Sequence, residues 1–153
     1  TDTENLESIA TEARKRRSLA KRTCYIATQI KRIVSLEPAG PRFLSPQAIL
    51  ARSKGNPFEI ACLMAVLFRM ADIPARVVLG VRLEKDCFLP SAWVEVFLDT
   101  WYAVIPDEEV YLRDVTWIAL TECPIRTEQS IIETFLKFYH LLKSSEIEIL
   151  EIK

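Results

Sequence analysis

The 153-residue sequence lacks the residue groupings that several common kinds of site require. Its only histidine is His140, and its four cysteines, Cys24, Cys62, Cys87 and Cys123, lie far apart. No CxxC motif or Cys/His pair has the spacing of a zinc site, so we expect no metal and no other cofactor. We expect the cysteines to be buried, reduced thiols that behave as small hydrophobic residues, which indicates an intracellular, cytoplasmic protein.

The sequence also lacks an excess of one charge and a long apolar run. A net charge of −1 gives no general reason to expect binding to nucleic acid or to a membrane. No apolar run reaches the roughly 18 residues of a membrane span, and the first residues, TDTENLESIA, are too polar for a signal peptide. Half of the residues are hydrophobic, so we expect one globular domain. Because the sequence has no initiating Met, we expect this domain to belong to a longer protein.

Helical patterns dominate the first half of the chain. No proline or glycine interrupts Leu6 to Leu36, whose apolar residues repeat at three- and four-residue spacing, so this stretch is predicted to form one long helix or two in tandem. The helix-breaking proline and glycine residues of EPAGPRF follow and end this stretch. Ser45 then has the character of an N-cap, with Pro46 at the first position of a short helix that extends to Arg52.

The sequence signal for the start of the next helix, at Asn56, is stronger. Asn56 is a good N-cap, Pro57 suits the first helical position, and Glu59 completes a capping box. The following residues are almost all apolar as far as Met70, so this helix is predicted to be buried on most sides.

Short β-type runs come next, and a turn at Asp99-Thr100 is predicted to pair Leu98 with Trp101 and to place Ile105 opposite Val94. The predicted strands are 75–83, 92–98, 101–105, a strand region at 110–120 and a final strand in EIEILEIK, with an amphipathic helix at 127–142. The pattern predicts a single α+β domain, with an N-terminal helical part at 1–44 and a core at 45–153 in which a buried central helix packs on an antiparallel sheet.

Three segments of this core occur in a familiar order. They are GNPFEIACLMAVLFRMADIPARVV from Gly55, SAWVEVFL from Ser91 and WYAVIPD from Trp101. Together they resemble the core of the transglutaminase-like superfamily, a papain-like thiol fold. The resemblance covers about residues 47–107, and IPARVV and AWVEVFLDTW match in both residues and order. Asp72 replaces the usual glycine of Gly-Ile-Pro, which concerns a turn and not the chemistry.

The resemblance implies a catalytic Cys-His-Asp triad that this sequence does not have. The cysteine position is Pro57, the histidine position is Ser91 and the aspartate position is Ile105. Proline has no nucleophile, serine is no base near neutral pH, and isoleucine cannot orient a partner by hydrogen bonding. We therefore expect a catalytically inactive domain, a pseudoenzyme, in which Pro57, Ser91 and Ile105 still lie close together.

Other residues have open interpretations. Asn56, Phe58, Trp93 and Trp101 are interpreted as core residues or as walls of the former cleft. Cys87, in the predicted loop EKDCFLP, and His140 could instead form a rearranged site, which makes a cysteine hydrolase or transferase the alternative function.

A basic segment from Ala13 to Arg22 is predicted to be either a solvated helix face or a patch for an acidic partner. Its basic residues are Arg14, Lys15, Arg16, Arg17, Lys21 and Arg22. Nucleic acid is a weaker hypothesis, because no aromatic residues are interleaved for base stacking. The leading hypothesis is a protein-binding or scaffolding module whose partner is another protein or another domain of the parent chain, and not a membrane.

Overall fold

The computed structural model describes residues 2–38, 40, 42–105, 110–111, 117–124 and 127–143. Helices pack on an antiparallel sheet, which confirms the predicted α+β class. The helices are α1 (Asp2–Arg14), α2 (Leu19–Ile33), α3 (Pro46–Arg52), α4 (Pro57–Met70) and α5 (Glu128–Lys143). The strands are β1 (Ser35–Leu36), β2 (Lys54–Gly55), β3 (Ala75–Glu84), β4 (Cys87–Phe97), β5 (Trp101–Val104), β6 (Val110–Tyr111) and β7 (Trp117–Cys123).

The sheet has the strand order β6-β5-β4-β3-β7, and every neighbouring pair is antiparallel. The short strands β1 and β2 pair separately, in parallel. Helix α4 packs on β3 and β4, and its side chains form the centre of the main hydrophobic core. No helix among the described residues is both long enough and apolar enough to cross a lipid bilayer.

The predicted stretch from Leu6 to Leu36 forms two helices rather than one. Ser18 is the N-cap of α2, and its Oγ accepts a hydrogen bond from the backbone N–H of Lys21 at 3.2 Å. Residues 15–18 are therefore not helical, and the basic segment is not a single helix face, because the serine hydroxyl starts a new helix in its middle.

The predicted start of α4 is confirmed in atomic detail. Asn56 Oδ1 accepts a hydrogen bond from Glu59 N at 2.9 Å, and Glu59 Oε2 accepts one from Asn56 N at 2.9 Å. Pro57 occupies the first position, where its missing N–H has no helical partner to lose. The helix is buried along nearly its whole length, as its apolar sequence predicts.

Helix α4 ends with a backbone conformation that favours glycine. Asp72 has φ 61°, in the left-handed region, and its N–H donates to Arg69 O at 3.1 Å. This conformation lets the chain reverse into Ile73, whose N–H donates to Phe68 O at 2.9 Å. Aspartate tolerates left-handed dihedrals better than most residues, but less well than glycine.

We expect Asp72→Gly to raise the free energy of unfolding by about 0.5 kcal/mol, because glycine removes the steric cost of the left-handed conformation. The ion pair with Arg22 is long, at 3.9 Å, and the Asp72 side chain is 70% exposed, so the pair contributes little. Chemical denaturation measures the change. Asp72→Ala is the control and should lower stability, since it removes the same carboxylate but keeps a Cβ; equal effects of the two variants would contradict the backbone explanation.

Two features of the sheet differ from the sequence prediction. Strand β4 begins at Cys87, so the segment predicted to be a loop pairs with β3 as far as Glu84 opposite Cys87. The turn between β4 and β5 has three residues instead of the predicted two, so Phe97 pairs with Trp101 and Val94 pairs with Val104. The register is thus one residue away from the predicted one, and a shift of one residue reverses which side chains share a face.

The C-terminal part agrees with the sequence prediction only in places. The predicted strand region at 110–120 contains two strands, β6 at one edge of the sheet and β7 at the other. Helix α5 has the predicted position to within one residue. The predicted final strand, EIEILEIK, lies outside the described residues.

Gly80 occupies a point of close approach in the sheet. A Cβ at this position would lie 2.1 Å from Ile118 O and 2.6 Å from Trp93 Cη2. The register between β3 and β7 shifts between Leu79 and Gly80, and this irregularity brings the backbone of β7 against the glycine.

The four cysteines are free thiols, but only Cys62 and Cys123 are buried. Burial raises the pKa of Cys62 well above its usual value and raises the pKa of Cys123 to about 11. Cys24 and Cys87 are exposed, so the prediction of burial is wrong for them. Cys24 follows the buried Thr23 on α2 and lies off its buried face, and Cys87 begins β4.

We expect two thiols in each native chain to react readily with a disulfide reagent at pH 8, and two to react only after denaturation. Cys24 and Cys87 are accessible, whereas Cys62 and Cys123 are shielded and remain protonated. Mass spectrometry of the labelled peptides identifies the positions. Rapid native labelling of Cys62 would contradict the buried position of α4.

Candidate functional site

A cavity lies at the N-terminal end of α4, between that helix, the sheet and α5. It has an empty volume of about 280 Å³, part of it open to solvent, and its enclosed part has room for only one or two water molecules. Its lining consists of Gly40, Asn56, Pro57, Phe58, Leu79, Pro90, Ser91, Ala92, Phe135, Phe138 and Tyr139.

The start of α4 is held in place by a buried carboxylate. Glu59 is fully buried, and besides Asn56 N it accepts hydrogen bonds from Arg42 Nε and Nη2 at 3.1 and 3.0 Å. Arg42 also pairs with Glu37 at 2.5 Å, and the hydrogen bond from Arg42 holds the pKa of Glu37 below its usual value. Asn56 Nδ2 donates to Arg42 O at 2.9 Å. These bonds fix the helix start against the segment before α3.

The structure brings together two of the three predicted triad positions. Pro57 and Ser91 both line the cavity, one from the first turn of α4 and the other from β4. Ile105 is not among the lining residues. It is buried in a separate cluster with Val78, Trp93 and Ala103. Val94 pairs with Val104, so Ile105 lies next to Trp93 and on the same face of the sheet as Trp93.

Of the four residues predicted as core or cleft wall, two line the cavity and two do not. Asn56 and Phe58 line the cavity, whereas Trp93 and Trp101 do not. Side chains alternate along a strand, and Ala92 faces the core around α4, so Trp93 faces away from it. Trp101 is 37% exposed, and the Arg76 guanidinium lies 4.0 Å above its ring.

Arg76 forms an ion pair with Glu95, at 2.7 Å, and a second ion pair with Glu122, also at 2.7 Å. Arg76 and Glu95 lie directly opposite each other in the β3–β4 ladder. The pair therefore joins neighbouring strands of the sheet, a structural role.

Sequence analysis did not place α5 at this site. Phe135, Phe138 and Tyr139 line the cavity, and the Phe135 ring stacks on the Phe58 ring with centroids 4.2 Å apart. The amphipathic pattern of α5 identified the apolar face, but such a pattern does not say which surface the face will cover. Arg42 was also missed, because nothing local to EPAGPRF points to a buried carboxylate 17 residues later.

The residues of the alternative site lie outside the cavity lining. Cys87 is exposed at the turn between β3 and β4, and its Sγ lies 3.5 Å from Glu84 O. His140 is exposed on α5. Among the described residues that line the cavity there is no cysteine and no histidine, and the residues that carry a hydroxyl group are Ser91 and Tyr139.

Some of the basic residues have structural roles. The Arg16 guanidinium lies 3.6 Å from the centre of the Tyr25 ring. Arg22 donates to Arg16 O at 3.0 Å and to Ala71 O at 3.1 Å, which joins the α1–α2 connection to the end of α4. The remaining members, Arg14, Lys15, Arg17 and Lys21, are exposed. The described part of the chain contains no cluster of three His, Cys, Asp or Glu residues arranged to hold a metal ion.

Comparison with known proteins bears on this arrangement. The family model of the transglutaminase-like superfamily matches residues 7–106. A solved structure from Parabacteroides distasonis ATCC 8503, of a protein described as a candidate protease, is similar with a TM-score of 0.53 at 18% identity. The similarity covers 74% of this chain and 28% of that one, and at this identity it shows a shared fold alone.

This chain therefore spans less than a third of the length of that structure. Comparison with curated proteins gave no match. The family model covers more than half of the chain and includes the start of α4 as well as β3, β4 and β5. By this match the chain belongs to the transglutaminase-like superfamily, with its papain-like fold.

Proposed function

We propose that this domain is a catalytically inactive member of its superfamily and acts as a protein-binding or scaffolding module. The observation that carries the proposal is the chemistry of the cavity at the start of α4. Pro57 and Ser91, which the resemblance assigns to the positions of the nucleophile and the base, both line this cavity. Its partner would be another protein or another domain of the same parent chain, and we expect a cytoplasmic location.

Pro57 removes more than a thiol. Enzymes of acyl transfer use backbone N–H groups near the nucleophile to stabilise the developing oxyanion, and proline has no N–H to offer. The Ser91 and Tyr139 hydroxyls have no histidine among the described lining residues to accept a proton. Both the nucleophilic and the electrostatic parts of catalysis are thus weakened at this site.

The position of α5 also supports the proposal. Phe135, Phe138 and Tyr139 of α5 line the cavity together with residues of α4 and the sheet. The enclosed space has room for about one or two water molecules, which is too little for a peptide or an amide side chain. A small, mostly apolar site of this kind is better suited to holding the domain together than to binding a substrate.

We expect protease, amidase and transglutaminase assays of the purified chain to show no turnover. Pro57→Cys should remain inactive, because restoring the thiol returns neither the base at Ser91 nor the orienting group at Ile105, and members of a triad act as a unit. Cys87→Ala is the control for the alternative site. Turnover that Cys87→Ala abolishes would overturn the proposal and establish the cysteine hydrolase or transferase function instead.

A further inference from the structure

Charge is distributed unevenly along this chain. The sequence contains 20 Lys and Arg residues and 21 Asp and Glu residues. Six of the basic residues and none of the acidic ones lie in the basic segment, Ala13 to Arg22, which leaves 14 basic and 21 acidic residues elsewhere. The segment therefore has a net charge of +6, and the rest of the chain has a net charge of −7. It is a strongly positive region on an otherwise acidic protein.

Contacts within the fold hold the backbone of the basic segment in place. The Arg22 side chain donates to Arg16 O at 3.0 Å, which ties the connection between α1 and α2 to the first turn of α2. It also donates to Ala71 O at 3.1 Å, at the end of α4. The Arg16 guanidinium lies 3.6 Å from the centre of the Tyr25 ring. These two arginines fix the segment, so its other basic residues project from a defined backbone.

Three of those other basic residues form no ion pair with any described residue. They are Arg14, Arg17 and Lys21, and all three are exposed. The described carboxylates at this surface have partners already, since Glu12 pairs with Lys15 and Asp72 Oδ2 lies 3.9 Å from Arg22 Nη1. Positive charges on so short a stretch repel one another, and an external anion relieves that repulsion.

The basic segment lies at the opposite end of α4 from the cavity. Ala71 follows the last residue of α4, whereas Pro57, its first residue, lines the cavity. At a rise of about 1.5 Å per residue, the 14 residues of α4 separate the two places by about 20 Å. A ligand at the basic segment therefore neither fills the cavity nor depends on it.

We propose that the basic segment binds an acidic stretch of a partner protein, in which several Asp or Glu residues follow one another closely. Charge complementarity defines this partner, because the exposed cations are grouped and held on a fixed backbone. This inference rests on the proposed protein-binding function and adds the surface and the chemistry of the partner.

A short acidic peptide fits this surface better than nucleic acid does. A long polyanion would extend from the basic segment over the rest of the chain, whose net charge of −7 opposes its binding. The segment also contains no aromatic residue on which a base could stack. A peptide a few residues long can contact the cations and leave the acidic remainder uncovered.

The test measures the binding of a fluorescein-labelled decaglutamate peptide to the full chain by anisotropy, at a salt concentration of about 50 mM. The variant Arg14→Glu/Arg17→Glu/Lys21→Glu reverses three exposed charges. It spares Arg16 and Arg22, which hold the backbone. We expect its affinity for the peptide to be at least about tenfold lower than that of the unmodified chain, because attraction at three positions becomes repulsion.

Lys31→Glu/Lys54→Glu/Lys137→Glu is the matched control. It changes the net charge by the same amount at exposed positions outside the basic segment, and should lower the affinity by less than about threefold. Equal losses from the two triple variants would overturn the proposal, because binding would then follow net charge alone. Absence of peptide binding by the unmodified chain would overturn it as well.

A neutral variant, Arg14→Gln/Arg17→Gln/Lys21→Gln, keeps the proposal testable if the reversed variant unfolds. Its circular dichroism spectrum should match that of the unmodified chain, and its affinity should fall at least about threefold, because it loses the attraction without adding repulsion. An unchanged affinity in this variant would contradict the proposed surface.

Two further measurements identify the ligand class and separate this inference from the proposed function. Tighter binding of a single-stranded DNA oligonucleotide with the same number of charges would overturn the peptide assignment in favour of nucleic acid. Turnover in the amidase assay would contradict the proposed function whatever the peptide does. Absence of both turnover and peptide binding would leave the inactive domain intact and refute the acidic-peptide surface alone.

Discussion

Gly80→Ala is expected to lower the free energy of unfolding by about 3 kcal/mol, because a Cβ at this position overlaps atoms that cannot easily move. One of them, Ile118 O at 2.1 Å, belongs to the backbone of β7, so the strand itself would have to shift. The other, Trp93 Cη2 at 2.6 Å, belongs to a fully buried ring. Urea denaturation measures the loss.

Gly40→Ala is the matched control for this variant. Among the described residues, no atom lies within 4 Å of a Cβ built on Gly40, and the φ of Gly40 is not positive. The substitution should leave stability unchanged or raise it slightly, since alanine restricts the unfolded chain. A loss below about 1 kcal/mol for Gly80→Ala would mean that β7 does not pair with β3 in the register described.

Glu59→Ala is expected to lower the free energy of unfolding by about 3 kcal/mol. The substitution leaves Asn56 N without its acceptor, removes the buried partner of Arg42 and leaves a small void. The reciprocal half of the capping box survives, because Asn56 Oδ1 still accepts from the backbone of residue 59. Thermal and urea denaturation should both report the loss.

Glu59→Gln separates the hydrogen bond from the charge. The amide oxygen can still accept from Asn56 N, so this variant should lose much less than Glu59→Ala. Glu133→Ala, on the exposed side of α5, is a control for removing a glutamate from a helix surface and should change stability by no more than about 0.5 kcal/mol. Equal losses from Glu59→Ala and Glu133→Ala would show that Glu59 is not buried in solution.

Sequence reasoning succeeded where neighbouring residues determine the structure. The start of α4 is one example, since Asn56 and Glu59 lie three positions apart and satisfy each other's hydrogen bonds, with Pro57 at the first helical position. Local chemistry of this kind can be read directly from a sequence.

Sequence reasoning failed where a single turn or a long-range contact determines the structure. The β4–β5 turn contains no glycine to identify its type, and its third residue moved Ile105 away from the position opposite Val94. The buried ion pair of Glu59 and the packing of α5 on Phe58 are long-range contacts, which no local pattern specifies. The sequence therefore located the site at the start of α4, but it did not identify α5 as the helix that packs there.

The distribution of the cysteines has a consequence for activity-based profiling. Electrophilic probes detect thiol enzymes by alkylating the reactive cysteine at a helix start, and this chain has Pro57 in that position. Its accessible thiols are Cys24, on the outer surface of α2, and Cys87, at the tip of a hairpin. A broadly reactive probe will therefore tag this domain at one of those two cysteines and score it as an active enzyme, unless the modified peptide is sequenced.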